Sequence, residues 1–369
     1  MKPRSRAFLW AGLVVGVAGL ALLSLLRLPP GGSPLDMDTA PGVGAPRAEG
    51  SGAGAGRTGA ATPESGSART APLSRPLDVL VSTDWGSGEG QLGRSVPEEG
   101  NPEGPMSFTV GPDGTLLVLD QVNGRISRYD RHGRPLAPIP LSQTLAHELA
   151  VAPDGSLAVM DRLADRSVAI FNREGTLVGD IPLVGKNLPE AGMSTGLFVD
   201  ETGIYVERGH GPLVRVGDVR GRSDPEQPLL DGRPTPDGKT LLSAALIDGQ
   251  AGRLWVRAVE RASGQLRFMR ELRLPTPIRH LMNLEADPSG RIYVSAYVVR
   301  EAAQGEPPLD EGVQVLCLSP EGEVRGSVML PPNRLADETF RELSVMADGT
   351  ILYLVRTGTG AELRRYRCS

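Results

Sequence analysis

Lysine is almost missing from this 369-residue chain: of 39 basic residues only Lys2, Lys186 and Lys239 are lysines. That skew fits a GC-rich genome and says nothing about function. No basic cluster occurs and the net charge is −5, which argues against nucleic acid as a partner. Cysteine is scarce too. Cys317 and Cys368 are the only two, so Cys-x-x-Cys metal spacing is excluded. Nor does any histidine accompany a serine or cysteine in a recognisable nucleophile motif. His132 falls in a turn, His210 in a Gly-His-Gly loop, and His280 follows Arg279 ahead of an inner strand; all three read as solvated loop residues.

What is present begins with Lys2, Arg4 and Arg6, followed by an uncharged run from Ala7 to Leu26. As a helix rising about 1.5 Å per residue, such a run spans roughly 30 Å, the thickness of a bilayer core. The basic residues ahead of it keep the N-terminus in the cytoplasm. Residues 1–28 are therefore expected to be a signal-anchor transmembrane helix, with the rest of the chain on the periplasmic or extracellular side. A cleaved signal peptide is the competing reading, but Arg27-Leu-Pro-Pro is a poor cleavage context. Residues 29–76 are rich in Pro, Gly, Ala, Ser and Thr, with Leu35, Met37, Val43 and Leu73 as their only large apolar side chains. Such a stretch reads as a disordered linker with a reach of about 40 Å. In an exported protein Cys317 and Cys368 could form a disulfide; two separate buried thiols are the alternative.

From residue 77 onward a phrase recurs: apolar strand, Pro-Asp-Gly-like turn, apolar strand. It reads Ser107-Phe-Thr-Val-Gly-Pro-Asp-Gly114-Thr-Leu-Leu-Val-Leu-Asp120, then Glu148-Leu-Ala-Val-Ala-Pro-Asp-Gly155-Ser-Leu-Ala-Val-Met-Asp161, and returns around Gly203, Gly238, Gly290 and Gly349. Repeats at this period signal an array of small units. Each unit extends to four strands, so the fold class is all-β, a six-bladed β-propeller over residues 77–369. The sixth unit stops one strand short. Pro76-Leu-Asp-Val-Leu-Val81 can supply that outer strand beside Glu362–Cys368 and close the ring.

Trp85-Gly-Ser-Gly-Glu-Gly-Gln-Leu92, the strand–turn from Gly104 to Gly114, and Asp120-Gln-Val-Asn123-Gly-Arg125-Ile126 together resemble an NHL-type repeat, with Gly124 where the family usually has His. The second unit keeps Asp161 but has Ala164-Asp165-Arg166, and later units keep only the turn and strand pattern. The resemblance covers residues 77–183 well and the rest loosely. It implies a six-bladed propeller and interaction rather than catalysis.

Ligands of propellers usually sit at the mouth of the central channel. Counting back seven residues from each turn glycine gives Ser107, Glu148, Gly196, Asp231, Asn283 and Glu342, with His147 and Arg341 adjacent. His147, Glu148, Asn283, Arg341 and Glu342 form the candidate ligand-binding set, a rim suited to a cation or a polar ligand. The plainer explanation is that any solvated channel mouth is polar. A calcium-dependent lactonase of the gluconolactonase kind would need oxygen ligands eight residues before several turns. Those positions hold Met106, His147, Thr195, Leu230, Met282 and Arg341, and Thr195 alone offers an oxygen. Arg-rich outer strands such as Leu363–Tyr366 read as a solvated charged face. The expectation is a monomeric, membrane-tethered binding or scaffolding module for a protein or envelope component, without metal or cofactor. A lactonase-like propeller hydrolase or lyase is the alternative.

Overall fold

The computed structural model describes residues 72–369. The run from Ala7 to Leu26 and the linker up to residue 71 lie outside the described residues. Among the described residues no helix is long and apolar enough to cross a membrane.

The first strand, β1 (Asp78–Asp84), stands apart from the strands that follow it in sequence. Blade 1 consists of β2 (Ser107–Val110), β3 (Leu116–Asp120), β4 (Arg125–Tyr129) and β5 (Pro135–Pro140). Blade 2 consists of β6 (Glu148–Val151), β7 (Leu157–Asp161), β8 (Ser167–Phe171) and β9 (Leu177–Pro182). In blade 3, β10 (Ser194–Val199), β11 (Ile204–Arg208) and β12 (Leu213–Gly217) are followed by a two-residue outer strand, β13 (Leu229–Leu230). Blade 4 opens with an equally short inner strand, β14 (Arg233–Pro234), before β15 (Thr240–Asp248), β16 (Arg253–Glu260) and β17 (Leu266–Arg273). Blade 5 has β18 (Ile278–Ala286), β19 (Ile292–Arg300), β20 (Asp310–Leu318) and β21 (Val324–Leu330). Blade 6 has β22 (Leu343–Val345), β23 (Ile351–Arg356) and β24 (Gly360–Tyr366), and takes β1 as its fourth strand.

All six sheets are four-stranded and antiparallel, so the chain is a six-bladed β-propeller. Closure comes from β1, which pairs antiparallel with β24 from Asp78↔Arg365 to Asp84↔Gly360. Every blade thereby acquires its outer strand, and the ring is closed by pairing between distant parts of the sequence. Gly133, in the turn after β4, presses against this strand: a Cβ there would lie 1.8 Å from Leu80 O, and its φ of 80° suits glycine alone.

Hydrophobic clusters fill five of the six seams between blades. Blades 1 and 2 share Leu119, Ile126, Leu149 and Val159; blades 2 and 3 share Met160, Ile170, Leu197 and Val206. Leu254 and Val256 meet Val294 and Val298 between blades 4 and 5. Val313 and Val315 meet Ile351 and Tyr353 between blades 5 and 6, and Phe108 and Val118 meet Leu352 and Leu354 at the closure. The seam between blades 3 and 4 differs, being held by charge. Arg261 donates to Asp200 at 2.6 Å, to Tyr205 OH at 2.6 Å and to Thr202 at 2.9 Å, and Arg233 donates to Glu207 at 3.0 Å.

The Asp-x-x-Asn-x-Arg segment is a clamp. Asp120 is fully buried and accepts Gly93 N–H at 2.7 Å, Asn123 Nδ2 at 2.9 Å, Arg125 Nε at 2.8 Å and Ser127 Oγ at 3.1 Å. Arg125 continues to the carbonyls of Ser87, Gly88 and Gln91. Trp85 Nε1 donates to Thr357 O of blade 6. The residues carrying the NHL-type resemblance thus pin the segment that links β1 to blade 1. Asp161 does the same in blade 2, accepting N–H groups from Leu145, Leu163 and Ala164.

Several expectations need correction. Contacts of the folded domain begin ahead of residue 77, for Ser74 N–H donates to Met329 O on blade 5. Leu363–Tyr366 lies in the third strand of blade 6 because β1 covers it, and Arg365 there is paired with Asp78. His280 lies within β18, which starts at Ile278 and runs further than the turn spacing suggests.

Candidate functional site

The inner strands β2, β6, β10, β14, β18 and β22 surround the channel, and at the end where they begin lies a cavity of about 320 Å³. Its wall includes Glu148, Asn283, Arg341 and Glu342, four of the five residues of the expected set. It also includes Thr195, Phe198, Glu207, His210, Arg233, His280, Met282 and Phe340.

Arg341 organises the site. Positioned just ahead of β22, it sends Nη2 to Glu148 Oε1 at 2.6 Å and to Leu197 O at 3.0 Å. The other Glu148 oxygen accepts Leu197 N–H at 2.6 Å. One carboxylate and one guanidinium thus tie together blades 6, 2 and 3. Glu285 of β18 stands 3.9 Å from Arg341 Nη1 and accepts Val345 N–H at 2.8 Å, which brings in blade 5. Burial pushes the Glu148 carboxyl up against the pull of Arg341 and of Leu197 N–H. Burial also opposes the charge of Arg341, yet Glu148 and Glu285 hold its pKa above the ordinary arginine value.

A second pair lies across the blade 3–blade 4 seam. Arg233 Nη2 donates to Glu207 Oε1 at 3.0 Å, and Thr195 Oγ1 donates to Glu207 Oε2 at 3.0 Å. His210, with its φ of 56°, places Nδ1 3.7 Å from the same carboxylate. The Phe198 ring is shared by both guanidinium groups, with Arg233 Cζ 4.9 Å and Arg341 Cζ 5.6 Å from its centroid. The wall is therefore densely charged but neutralised pair by pair.

The remaining expected residues have more local duties. Glu342 borders the cavity while its Oε2 accepts Arg356 Nη2 at 2.8 Å and Asn333 Nδ2 at 2.7 Å. Burial pushes this carboxyl up too, against Arg356 and Asn333. Asn283 Nδ2 donates to Leu343 O at 3.2 Å. His147 does not line the cavity. It is buried beside it with its ring edge-on to Phe340 at 5.4 Å, and Arg162 covers Phe340 at 4.7 Å. Burial, then the charge of Arg162, lowers its pKa against Asp161 and Glu338. Within the rim expected to suit a cation or a polar ligand, Arg341 and Glu148 form an ion pair. Among the described residues no group of three or more His, Cys, Asp or Glu is placed to hold a metal ion.

Two of the three histidines expected to be solvated loop residues border the site. His210 does lie in its loop, whereas His280 stacks on Tyr297 with centroids 5.4 Å apart. Desolvation against that wall, followed by the charge of Arg279, lowers the His280 pKa. Counting back from the turn glycines misses Glu207, which stands after Gly203, and Arg233, which lies in a strand of only two residues. Cys317 of β20 and Cys368 just beyond β24 form a disulfide with Cα atoms 6.3 Å apart.

No protein-family model matches this sequence, and a search of curated proteins finds no match. Among solved structures, the hydrazine synthase of Kuenenia stuttgartiensis is similar at 19% identity over 70% of this chain and 80% of that one, with a TM-score of 0.45. A streptogramin B lyase matches at 12% identity over 74% and 97% of the two chains, TM-score 0.39. A luciferin-regenerating enzyme matches at 12% identity over 71% and 90%, TM-score 0.42. These values carry no argument about what this chain does; the six-bladed ring rests on its own strand pairing.

Proposed function

We propose that this chain is a binding propeller, tethered by its N-terminal apolar run and exported, with a polar ligand or partner segment received at the channel mouth. The observation that carries the reading is the double ion pair Arg341–Glu148 and Arg233–Glu207 around Phe198. Carboxyl groups raised by burial are the raw material of acid–base catalysis. Here, however, each candidate is occupied by a guanidinium, an arrangement suited to holding a fixed shape and offering hydrogen bonds. The hydrolase or lyase alternative gains no support from this pairing. Monomeric behaviour and the NHL-type kinship belong to the same proposal.

Affinity capture by the soluble domain, residues 72–369, followed by mass spectrometry, tests the cavity. A cavity-filling Asn283→Phe variant serves as control. A species retained by the parent and lost from the variant supports the reading; equal retention by both refutes it. Protease added to intact spheroplasts tests the topology. Release of the propeller is expected, and complete protection would place it on the cytoplasmic side.

A further inference from the structure

The seam without a hydrophobic cluster leaves a sheet face only partly covered. Blade 4 buries one face against blade 5, where Leu242, Leu254, Val256, Ala258, Phe268 and Leu272 are all inaccessible. Its other face, toward blade 3, is only partly covered: Arg261 and Arg233 bridge the seam near the inner strands, while the outer rows stay accessible. Along β16 burial alternates strictly, with Leu254, Val256 and Ala258 buried but Trp255, Arg257 and Val259 only half-buried. The third strand of blade 2, β8, is buried at every position. The cause lies in blade 3, whose outer strand β13 has two residues against eight in β17. The connection before β13 instead presses against blade 2, where a Cβ on Gly221 would lie 2.6 Å from Gly179 Cα.

Strand register places the side chains on this face in rows. Ala245, Trp255 and Glu271 form one row, Ser243, Arg257 and Met269 the next, and Arg253 stands opposite Arg273 at the end. Met269 is 52% exposed and Leu266 55%. Trp, Arg and Met are the residue types enriched in interface cores. Like charges directly opposite on neighbouring strands are unfavourable unless an anion lies between them. Arg253 has Glu271 as its ion-pair partner at 2.7 Å, whereas Arg273 acts on the same carboxylate only through its charge, without a close pair. The blade is also the basic part of an acidic chain: residues 233–274 hold eight Lys or Arg against four Asp or Glu, while the whole chain carries −5.

From this partly covered face we infer a docking surface for an acidic, extended segment of another protein, separate from the channel-mouth cavity. Its carboxylates meet Arg273, and its apolar side chains lie on Trp255 and Met269. An extended segment presents side chains to one face at every second residue, the same two-residue step that separates these rows. A phosphate backbone or an anionic bilayer would call for a denser, unpaired basic field, but Arg253 and Arg257 are already engaged by Glu271 and Asp231.

A photo-crosslinking residue at position 269 of the full chain, expressed in its own cells, tests this. The crosslinked peptide is sequenced by mass spectrometry, and the same residue at Val178, exposed on β9, is the control. Expected are peptides of another protein with an excess of Asp and Glu, captured at 269 and not at 178. Arg273→Glu lowers the yield about tenfold, the loss typical of one interface anchor. Trp255→Ala lowers it likewise, with the melting temperature of each variant reported alongside. Asn283→Phe, which fills the cavity, leaves the crosslink intact, so failure of the cavity reading is distinguishable from failure here. Crosslinks to lipid, nucleic acid or basic segments, equal yield at both positions, no crosslink at 269, or indifference to Arg273→Glu would each overturn the inference.

Discussion

Asp78 Oδ1 accepts Arg365 Nε at 2.5 Å, joining residues 287 apart in sequence at the seam where the ring closes. A contact of that separation can form only when the blades are assembled, so it couples β1 to the stability of the whole ring. Removing residues 1–84 deletes β1 and leaves β24 as a free edge. That truncation should lower the melting temperature by about 10 °C or more, at roughly 2–4 °C per kcal/mol for larger domains. Removing residues 1–72 should leave it unchanged, because the contacts of Ser74 and Leu77 survive. Equal melting temperatures for the two would refute closure as a source of stability.

The Cys317–Cys368 disulfide joins positions 51 apart and fixes the end of β24 to blade 5. Chain-entropy arguments put its upper contribution at about 4 kcal/mol. A reductant should therefore lower the urea midpoint of the parent domain. The midpoint of a Cys317→Ala/Cys368→Ala variant should already be low and should not respond. A parent midpoint indifferent to reductant would mean that the strand pairing of β24 suffices alone.

Asp120 should matter to folding more than any single donor it serves. Asp120→Ala leaves Gly93 N–H, Asn123 and Arg125 without their shared acceptor, at a cost of about 2–4 kcal/mol. Asn123→Ala removes one donor and should cost about 1 kcal/mol. Urea titrations of the two variants check the order; a larger effect at Asn123 would contradict the clamp.

The ring was legible in the sequence because its signal is local. Each Pro-Asp-Gly-like turn joins the first two strands of a blade, and the missing sixth outer strand points to Leu77–Val81. The clamp at Asp120, Asn123 and Arg125 was visible as a motif, though its structural duty was not. The partly covered face of blade 4 was not readable, since it depends on β13 being too short to cover a neighbour distant in sequence. Glu148, Asn283 and Glu342 were found by counting from turns, with Arg341 as a neighbour, because inner strands start at a fixed offset from them. Arg233 and Glu207 escaped that count, and their pairing across a seam is a property of assembly alone. His147, like Arg341, entered only as the neighbour of a counted residue, yet it packs behind the wall against Phe340.

The Arg341–Glu148 pair offers a test of the cavity as a rigid frame. Arg341→Ala strands a buried carboxylate and should cost about 3–5 kcal/mol. Replacing both, as Arg341→Met with Glu148→Leu, removes the stranded charge and should recover most of that loss. The double variant should nevertheless lose whatever the parent retains in affinity capture. Full retention would remove the ion pair from the binding reading while leaving its structural role intact.

Acid should weaken the domain in part through His147. Burial keeps its folded pKa below the ordinary value of about 6.5, so the unfolded chain binds the proton more readily. Stability from this residue is therefore present above about pH 6.5 and lost as the pH falls through the folded pKa, by at most about 1.4 kcal/mol per pH unit. His280, lowered in the same direction, adds to the slope. The raised carboxyls of Glu148 and Glu342 act with opposite sign, since they gain protons more readily when folded. Comparison with a variant isolates the histidine: His147→Phe keeps an aromatic ring against Phe340 but cannot titrate. Between pH 7.5 and 5.5 the parent should lose more stability than His147→Phe, read from urea midpoints at both pH values. An identical loss in the two proteins would show that His147 is not buried neutral, and with it that the packing behind the channel mouth is looser than the Phe340 contact requires.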